Sequence, residues 1–264
     1  AQGFRSLVTR LGLDNSTSAA TPAALPPPVR AGATNPAQGG LFPDAATPAT
    51  PAALNTNGFG PYETVTTLDA LNAWIEAART TGIVAVDTET DSLDAMRANL
   101  VGISLATAPG RACYIPLRHA NVETQIDPEM AFTALTPLFA DDSVLKIFQN
   151  AKYDLMIFRQ AGATLPNPID DTMLISFAME AGAHGHGMDE LSGLHLGHTP
   201  ISYDSVTGTG KTRLTFAQVP LDRATAYAAE DADVTLRLWQ SLRPRLRAAK
   251  SLALYEQVER RLIP

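Results

Sequence analysis

Cysteine is nearly absent: the 264-residue chain has one, Cys113. A single thiol excludes a disulfide framework and a paired-cysteine zinc module. Set in the apolar run Ala112-Cys113-Tyr114-Ile115, it reads as a core residue. No apolar run reaches the roughly 18 residues that a membrane-spanning helix needs. The N-terminal stretch lacks the apolar centre of a signal peptide. The chain is therefore expected to be cytoplasmic and reduced. Basic residues are also in short supply. Against 27 Asp and Glu stand 20 Lys and Arg, a net charge of -7. That balance counts against a protein that grips duplex DNA by a broad basic surface. It leaves room for nucleic acid met through a metal, because a divalent-cation site must itself be acidic.

What is present divides into zones. Residues 1–13 carry Phe4, Leu7, Val8 and Leu11 at helical spacing, in a piece too short to fold alone. Residues 14–60 hold 12 Ala, 8 Pro and 3 charged residues. Such a segment buries too little to offset its ordering entropy and reads as a semi-extended linker. From Tyr62 the pattern is that of a folded domain, and 45% hydrophobic content supports a core. Leu68, Leu71, Ile75 and Ala78 make one helical face, stopped by Gly82. Strands are expected at 83–87, 100–106, 111–117 and 144–148, with a turn at Pro109-Gly110. Helices are expected at about 128–140, 151–161, 171–180, 188–196 and, as one long element, 222–248. A meander of strands followed by a strand among helices implies an α/β domain, a mixed sheet with helices on its faces.

The run VAVDTETDSL, residues 84–93, ends an apolar strand in three carboxylates, Asp87, Glu89 and Asp91. Period 2 puts Asp87 and Glu89 on one face. Taken alone, the pair also describes a polar turn at a strand end. Asp154 sits in the first turn of the next helix but one, where an acid equally suits the helix N-terminus. In YAAEDADVTLRLW, residues 227–239, Tyr227 and Asp231 are four apart and share the helix face of Ala224, Val234 and Leu238. Glu230 and Asp233 are expected on solvated faces. A core-facing Asp231 has no Lys or Arg three or four residues away, and a metal ion would neutralise it. If Asp87, Glu89, Asp154 and Asp231 converge, their hard oxygens suit Mg2+ or Mn2+ rather than Zn2+. Two such ions, roughly 3.5–4 Å apart, clamp the attacking and leaving oxygens of a phosphodiester.

Together these three stretches, VAVDTETDSL, FQNAKYDLMIF and YAAEDADVTL, closely resemble the motifs of the proofreading 3′–5′ exonuclease domain of bacterial DNA polymerase I. That family belongs to the DEDD exonucleases with tyrosine in the third motif, on a ribonuclease H-like fold. The similarity runs from about Tyr62 to Val258. GFRSLVTRL resembles the last helix of a 5′-nuclease domain, and YEQVERRLIP resembles the start of a polymerase domain, with Arg261 where the family usually has Pro. The resemblance implies four zones: 1–13, a remnant of the 5′-nuclease domain; 14–60, the linker; 61–250, the exonuclease domain; and 251–264, the start of the polymerase domain. It implies two divalent ions, Mg2+ or Mn2+. Asp87, Glu89 and Asp231 would hold one, and Asp87 with Asp154, through water, the other. Tyr227 would orient the attacking water, and the product would be a deoxynucleoside 5′-monophosphate. Leu93 matches a wedge between the last two bases, Gln149 and Asn150 lie near sugar and phosphate positions, and Tyr203 matches an aromatic against the terminal bases. Thr88 and Tyr153, inside the motifs, complete the implied substrate contacts. The implied partners are single-stranded DNA 3′ ends and a polymerase domain of the same longer chain, in a monomer without membrane contact.

Other features count for less. TGTGKT, residues 207–212, has Ser205 where a phosphate-binding loop needs glycine. His184, His186, His195 and His198 lie in Gly-rich sequence with no carboxylate evidently arranged for zinc. Lys152 and Arg213 are the basic residues available near the motifs for phosphate. Two other functions compete with DNA editing: an RNA-trimming nuclease of the ribonuclease D kind, and a non-catalytic spacer for a polymerase. The complete carboxylate set counts against the spacer.

Overall fold

The computed structural model describes residues 58–120 and 122–263. The readings of residues 1–13 and of nearly all of 14–60 lie outside them. The described chain opens with a short strand β1 (Glu63–Thr64), then α1 (Leu68–Thr81). Thr67 caps α1 by accepting from Ala70 N, and Gly82, in the left-handed region at φ 70°, ends it as expected. Then follow β2 (Ile83–Thr90), β3 (Leu100–Ala108), β4 (Arg111–Pro116), α2 (Pro128–Phe139), β5 (Leu145–Phe148), α3 (Ala151–Gln160) and β6 (Ile169–Asp171). The remaining helices are α4 (Thr172–Glu180), α5 (Met188–Leu196), α6 (Tyr203–Thr207), α7 (Leu221–Leu242) and α8 (Arg245–Ala248). Short helical turns occupy Leu252–Leu262. Among the described residues no helix is long and apolar enough to cross a membrane.

The strand order is β1-β4-β3-β2-β5-β6. β2, β3 and β4 are antiparallel neighbours, whereas β5, β6 and β1 join in parallel, so the sheet is mixed as expected. Alternation along β2 sorts its side chains. Val84 and Val86 join the core under α1, α2 and α3 with Leu71, Ile103 and Phe139. Ala85 faces α7, where Ala224, Ala228 and Ala232 let the helix lie close to the sheet. Asp87 and Glu89 continue the Ala85 side of the strand, toward α7.

Several expectations change. β2 does not stop at residue 87: pairing with β3 carries it to Thr90, through a register shift between Glu89 and Thr90. The acidic pair thus stands on the strand, beside an irregularity of the kind that re-aims side chains. The helix expected at 222–248 breaks after Leu242, because Pro244 lacks an N–H and crowds the preceding turn. Residue 171 ends a strand, β6, that the sequence reading did not include. Glu230 and Asp233 are not solvated; they are 5% and 0% exposed. α7 is packed on more than one side, so it has little solvent face near its middle. Asp233 accepts from the Tyr62 hydroxyl at 2.9 Å and from Arg237 Nε at 2.8 Å. Cys113 is buried, as a core residue should be.

Residues after 250 pack on the same body. Tyr255 is fully buried; its hydroxyl donates to Asp170 and accepts from Asp171 N. Arg260 pairs with Asp170 at 3.0 Å, and Ile263 joins the core beneath the sheet.

Candidate active site

Three elements bring the carboxylates together. β2 supplies Asp87 and Glu89, and α7 supplies Asp231. Carboxylate oxygens of these three lie within 4.8 Å of one another. α3 supplies Asp154 one step away. Its Oδ1 accepts from Thr88 N at 3.1 Å and Thr88 Oγ1 at 2.6 Å. That N–H is free because β5 pairs with β2 only from Ile83 to Ala85. Beyond that point the open edge of β2 is met by the first turn of α3. Asp171 holds this turn in place, accepting from Asn150 N at 3.1 Å and Ala151 N at 2.9 Å. The sequence reading took Asp171 only as the start of a helix; its link to residue 150 across the sheet has no signature in local pattern.

Electrostatics make the cluster costly without a counter-charge. Burial pushes Asp87 up to about 7. Burial and then the charges of Asp87, Asp231 and Asp154 push Glu89 well above the usual carboxylate range. Asp154 and Asp231 rise for the same reasons, burial first and Asp87 second. Glu89 Oε1 is buried with no hydrogen-bond partner. A buried acceptor without a donor, among three mutually repelling carboxylates, is what a hard cation would satisfy. The residues present therefore fit divalent metal. Tyr227 stands beside Asp231, and burial followed by the charges of Asp231, Glu89 and Asp87 raises its phenol far above its ordinary value.

The other residues named from sequence fall around this centre in different ways. Leu93 is 89% exposed on the loop after β2. Asp91, third acid of the opening run, closes that loop instead of joining the cluster: it accepts from Asn99 N and Nδ2, both at 2.8 Å. Tyr153 donates to Ser92 O at 2.7 Å and so braces the same loop. Tyr203 stacks on Phe216 at 6.2 Å between centroids and meets Tyr227 edge-on at 5.9 Å. Asn150 is exposed in the left-handed region at φ 68°. Gln149 is turned inward, its amide bonded to Thr172 Oγ1 and to His186 O. Arg213 lies over the Tyr203 ring at 5.6 Å and pairs with Asp204, and Lys152 is exposed. Phe216, the floor beneath both tyrosines, was missed; its spacing is that of any core aromatic.

The histidines need one correction. A carboxylate is in fact arranged beside them: Glu180, His184 and His195 cluster closely. The sequence reading overlooked it because Glu180 ends a helix that the chain leaves before reaching His195. Arg245 already supplies that cluster with a cation, at 3.0 Å from both Glu180 Oε1 and His195 Nδ1. Lys211 and its neighbours form a single exposed turn, Gly210–Thr212, with no helix behind it to serve a phosphate.

The model of a family described as 3′–5′ exonuclease matches residues 62–247. A DNA polymerase I from Rhizobium leguminosarum is 46% identical over 91% of this chain and 26% of its own length. One from Pseudomonas aeruginosa is 40% identical over 77% of this chain and 23% of its own length. The chain thus spans about a quarter of these relatives. Among solved structures, Escherichia coli RNase D, an exoribonuclease involved in structured RNA processing, superposes with a TM-score of 0.60 at 23% identity, over 77% of this chain and 50% of that one. The shared architecture is the ribonuclease H-like fold.

Proposed function

The chain belongs to the 3′–5′ exonuclease family of DNA polymerase I, and from that premise we propose that it removes nucleoside 5′-monophosphates from the 3′ ends of single-stranded DNA. The observation that carries this reading is the convergence of Asp87, Glu89 and Asp231 around the unpartnered Glu89 Oε1, with Asp154 alongside. Asp87, Glu89 and Asp231 would hold one divalent ion and Asp87 with Asp154 a second, Mg2+ or Mn2+ by the hardness of an all-oxygen donor set. When bound, such ions supply Lewis acidity toward the attacking and leaving oxygens of the phosphodiester.

The chain's own residues do the rest. Thr88 fixes Asp154 by two donors, so that carboxylate has one defined orientation. Tyr227, beside Asp231, acts as a hydrogen-bonding group that orients the attacking water; in the metal-free chain, burial and the neighbouring carboxylates favour its neutral phenol. Tyr203 offers a ring on Phe216 for a terminal base, and Leu93 projects from a braced loop to part the last two bases. Stacking of this kind tolerates any sequence, as removal of a mispaired end requires. We place the exonuclease domain at residues 61–250, in a monomeric chain whose polymerase domain follows and whose editing it serves in the cytoplasm.

The test is a 5′-labelled single-stranded oligonucleotide incubated with the chain and Mg2+ or Mn2+. A ladder shortening from the 3′ end is expected. EDTA should abolish it, and Asp231→Ala should lower it by more than about 100-fold, beyond what loss of an outer-shell group costs. An unshortened oligonucleotide would leave a structural module. Faster loss of an RNA strand than of the matching DNA strand would favour RNA trimming.

A further inference from the structure

Glu230 precedes Asp231 on α7, yet the mechanism above does not use it. It is buried, and both its oxygens are engaged away from the acidic cluster. Oε1 lies 3.0 Å from His198 Nε2, and Oε2 accepts from Ile201 N at 2.5 Å. These bonds dock the irregular segment between α5 and α6 onto α7. The next residue, Ser202, caps α6, and Tyr203 begins it. Behind His198 the anchor is closed by Phe59, stacked on its ring at 3.6 Å and 10°. Arg237 lies over Phe59 at 4.2 Å and donates to Gly58 O at 2.8 Å.

We propose that Glu230 is a positioning residue for the 3′ end: it ties the segment His198–Ile201 to α7 and so sets the place of the Tyr203 ring relative to Asp231. One helix then carries, on neighbouring residues, both a carboxylate of the metal centre and the strut of the base-stacking platform. The hold on the terminal nucleotide follows from that coupling. The inference rests on the exonuclease reading and on Tyr203 as its stacking residue. An alternative use of Glu230, as a negative charge beside Asp231, makes a different forecast. Glu230→Gln keeps an acceptor for Ile201 N and a polar group for His198 but removes the charge. Position predicts that Gln rescues; charge predicts that Gln behaves like Ala.

The experiment is steady-state kinetics on a short 5′-labelled oligothymidylate in Mg2+, with thermal melts of each variant. Glu230→Ala is expected to raise KM about tenfold, the order of one lost base–aromatic stack. Its kcat should stay within about twofold, because the carboxylates are untouched. Glu230→Gln should match the wild type within about twofold in both constants. In a Tyr203→Ala background, Glu230→Ala should add nothing further, since both act through one ring. His198→Ala, which removes one of the two bonds and the Phe59 stack, should raise KM about threefold, a share of the same coupling, and it decides the matter if Glu230→Ala does not fold. An unchanged KM, a fall in kcat alone, a Gln variant as impaired as Ala, or full additivity with Tyr203→Ala would each overturn the proposal while leaving the exonuclease reading intact. A wild-type chain that leaves the oligonucleotide whole would overturn both.

Discussion

Asp87 shows how a single half-buried carboxylate couples metal, pH and stability. Its folded value of about 7 lies above the value near 4 of an unfolded aspartate. Between those values the folded, metal-free chain binds more protons than the unfolded chain, so stability falls as pH rises through that window. Glu89, Asp154 and Asp231 shift in the same direction and add to the slope. In EDTA the melting temperature is expected to be lower at pH 8 than at pH 5. Mg2+ or Mn2+ should raise it more at pH 8, and Glu89→Gln should flatten the pH dependence. Calorimetry with and without metal checks this; equal melts under all four conditions would contradict it. A second residue-scale prediction concerns Thr88→Val. The backbone N–H bond to Asp154 survives but the 2.6 Å hydroxyl bond is lost. Activity should fall about 10- to 100-fold, and the Mg2+ concentration for half-maximal rate should rise. A metal titration of the variant measures both.

At the scale of elements, β3 keeps β2 and its acids in place through an unusual contact. Gly102 is the register partner of Glu89, and a methyl added there would collide with the hydroxyl and ring of Tyr114. Tyr114 is fully buried, bonded to His119 at 2.8 Å, and close enough to Glu89 for that charge to raise its phenol after burial has done so. Gly102→Ala should therefore destabilise the fold by about 1–3 kcal/mol, as overpacking does. The displaced tyrosine ring should also disturb Glu89, so activity should drop at temperatures where the variant is still folded. Urea unfolding and the oligonucleotide assay, run on the same sample, separate the two effects. Activity equal to wild type in a destabilised variant would show that the Tyr114 contact serves packing alone. The same scale explains α7. Alanines at 224, 228 and 232 bring it onto the sheet, and that closeness is what places Asp231 against β2.

Charge belongs to the whole molecule. With a net charge of -7, any hold on a DNA strand rests on a few local contacts, the bound cations and stacking. The exonuclease rate at substrate well below KM should fall steeply as NaCl rises from about 50 to about 200 mM. At saturating substrate the rate should change little, because the acidic centre is buried. Kinetics at the two salt concentrations distinguish these cases, and a salt effect on kcat alone would place the sensitivity in metal binding. The packing of Tyr255, Arg260 and Ile263 onto the body is a second whole-molecule feature. Arg260 and Arg243 both bond Asp170, and Trp239 of α7 donates to it at 2.7 Å, so the turns after residue 250 share a buried carboxylate with α7.

From the linear pattern alone, the element types and the pairing of functional groups were legible. Strand period 2 put Asp87 and Glu89 on one side, helical period put Tyr227 and Asp231 on one side, and Gly82 marked a stop. These are local relations, set by backbone geometry within a few residues, and three motif strings sufficed to name the family. The tertiary structure alone decided what meets across the chain. Thr88 meets Asp154 at a separation of 66 residues because β5 ends short of it, a fact of sheet register. Asp171 reaches the start of α3 through β6, a strand of three residues too short to leave a periodic trace. Glu230 and Asp233 were read as solvated because periodicity reports one apolar face of a helix. α7 is enclosed on several sides, and whether polar residues there meet water or donors depends on the neighbours the fold brings to them.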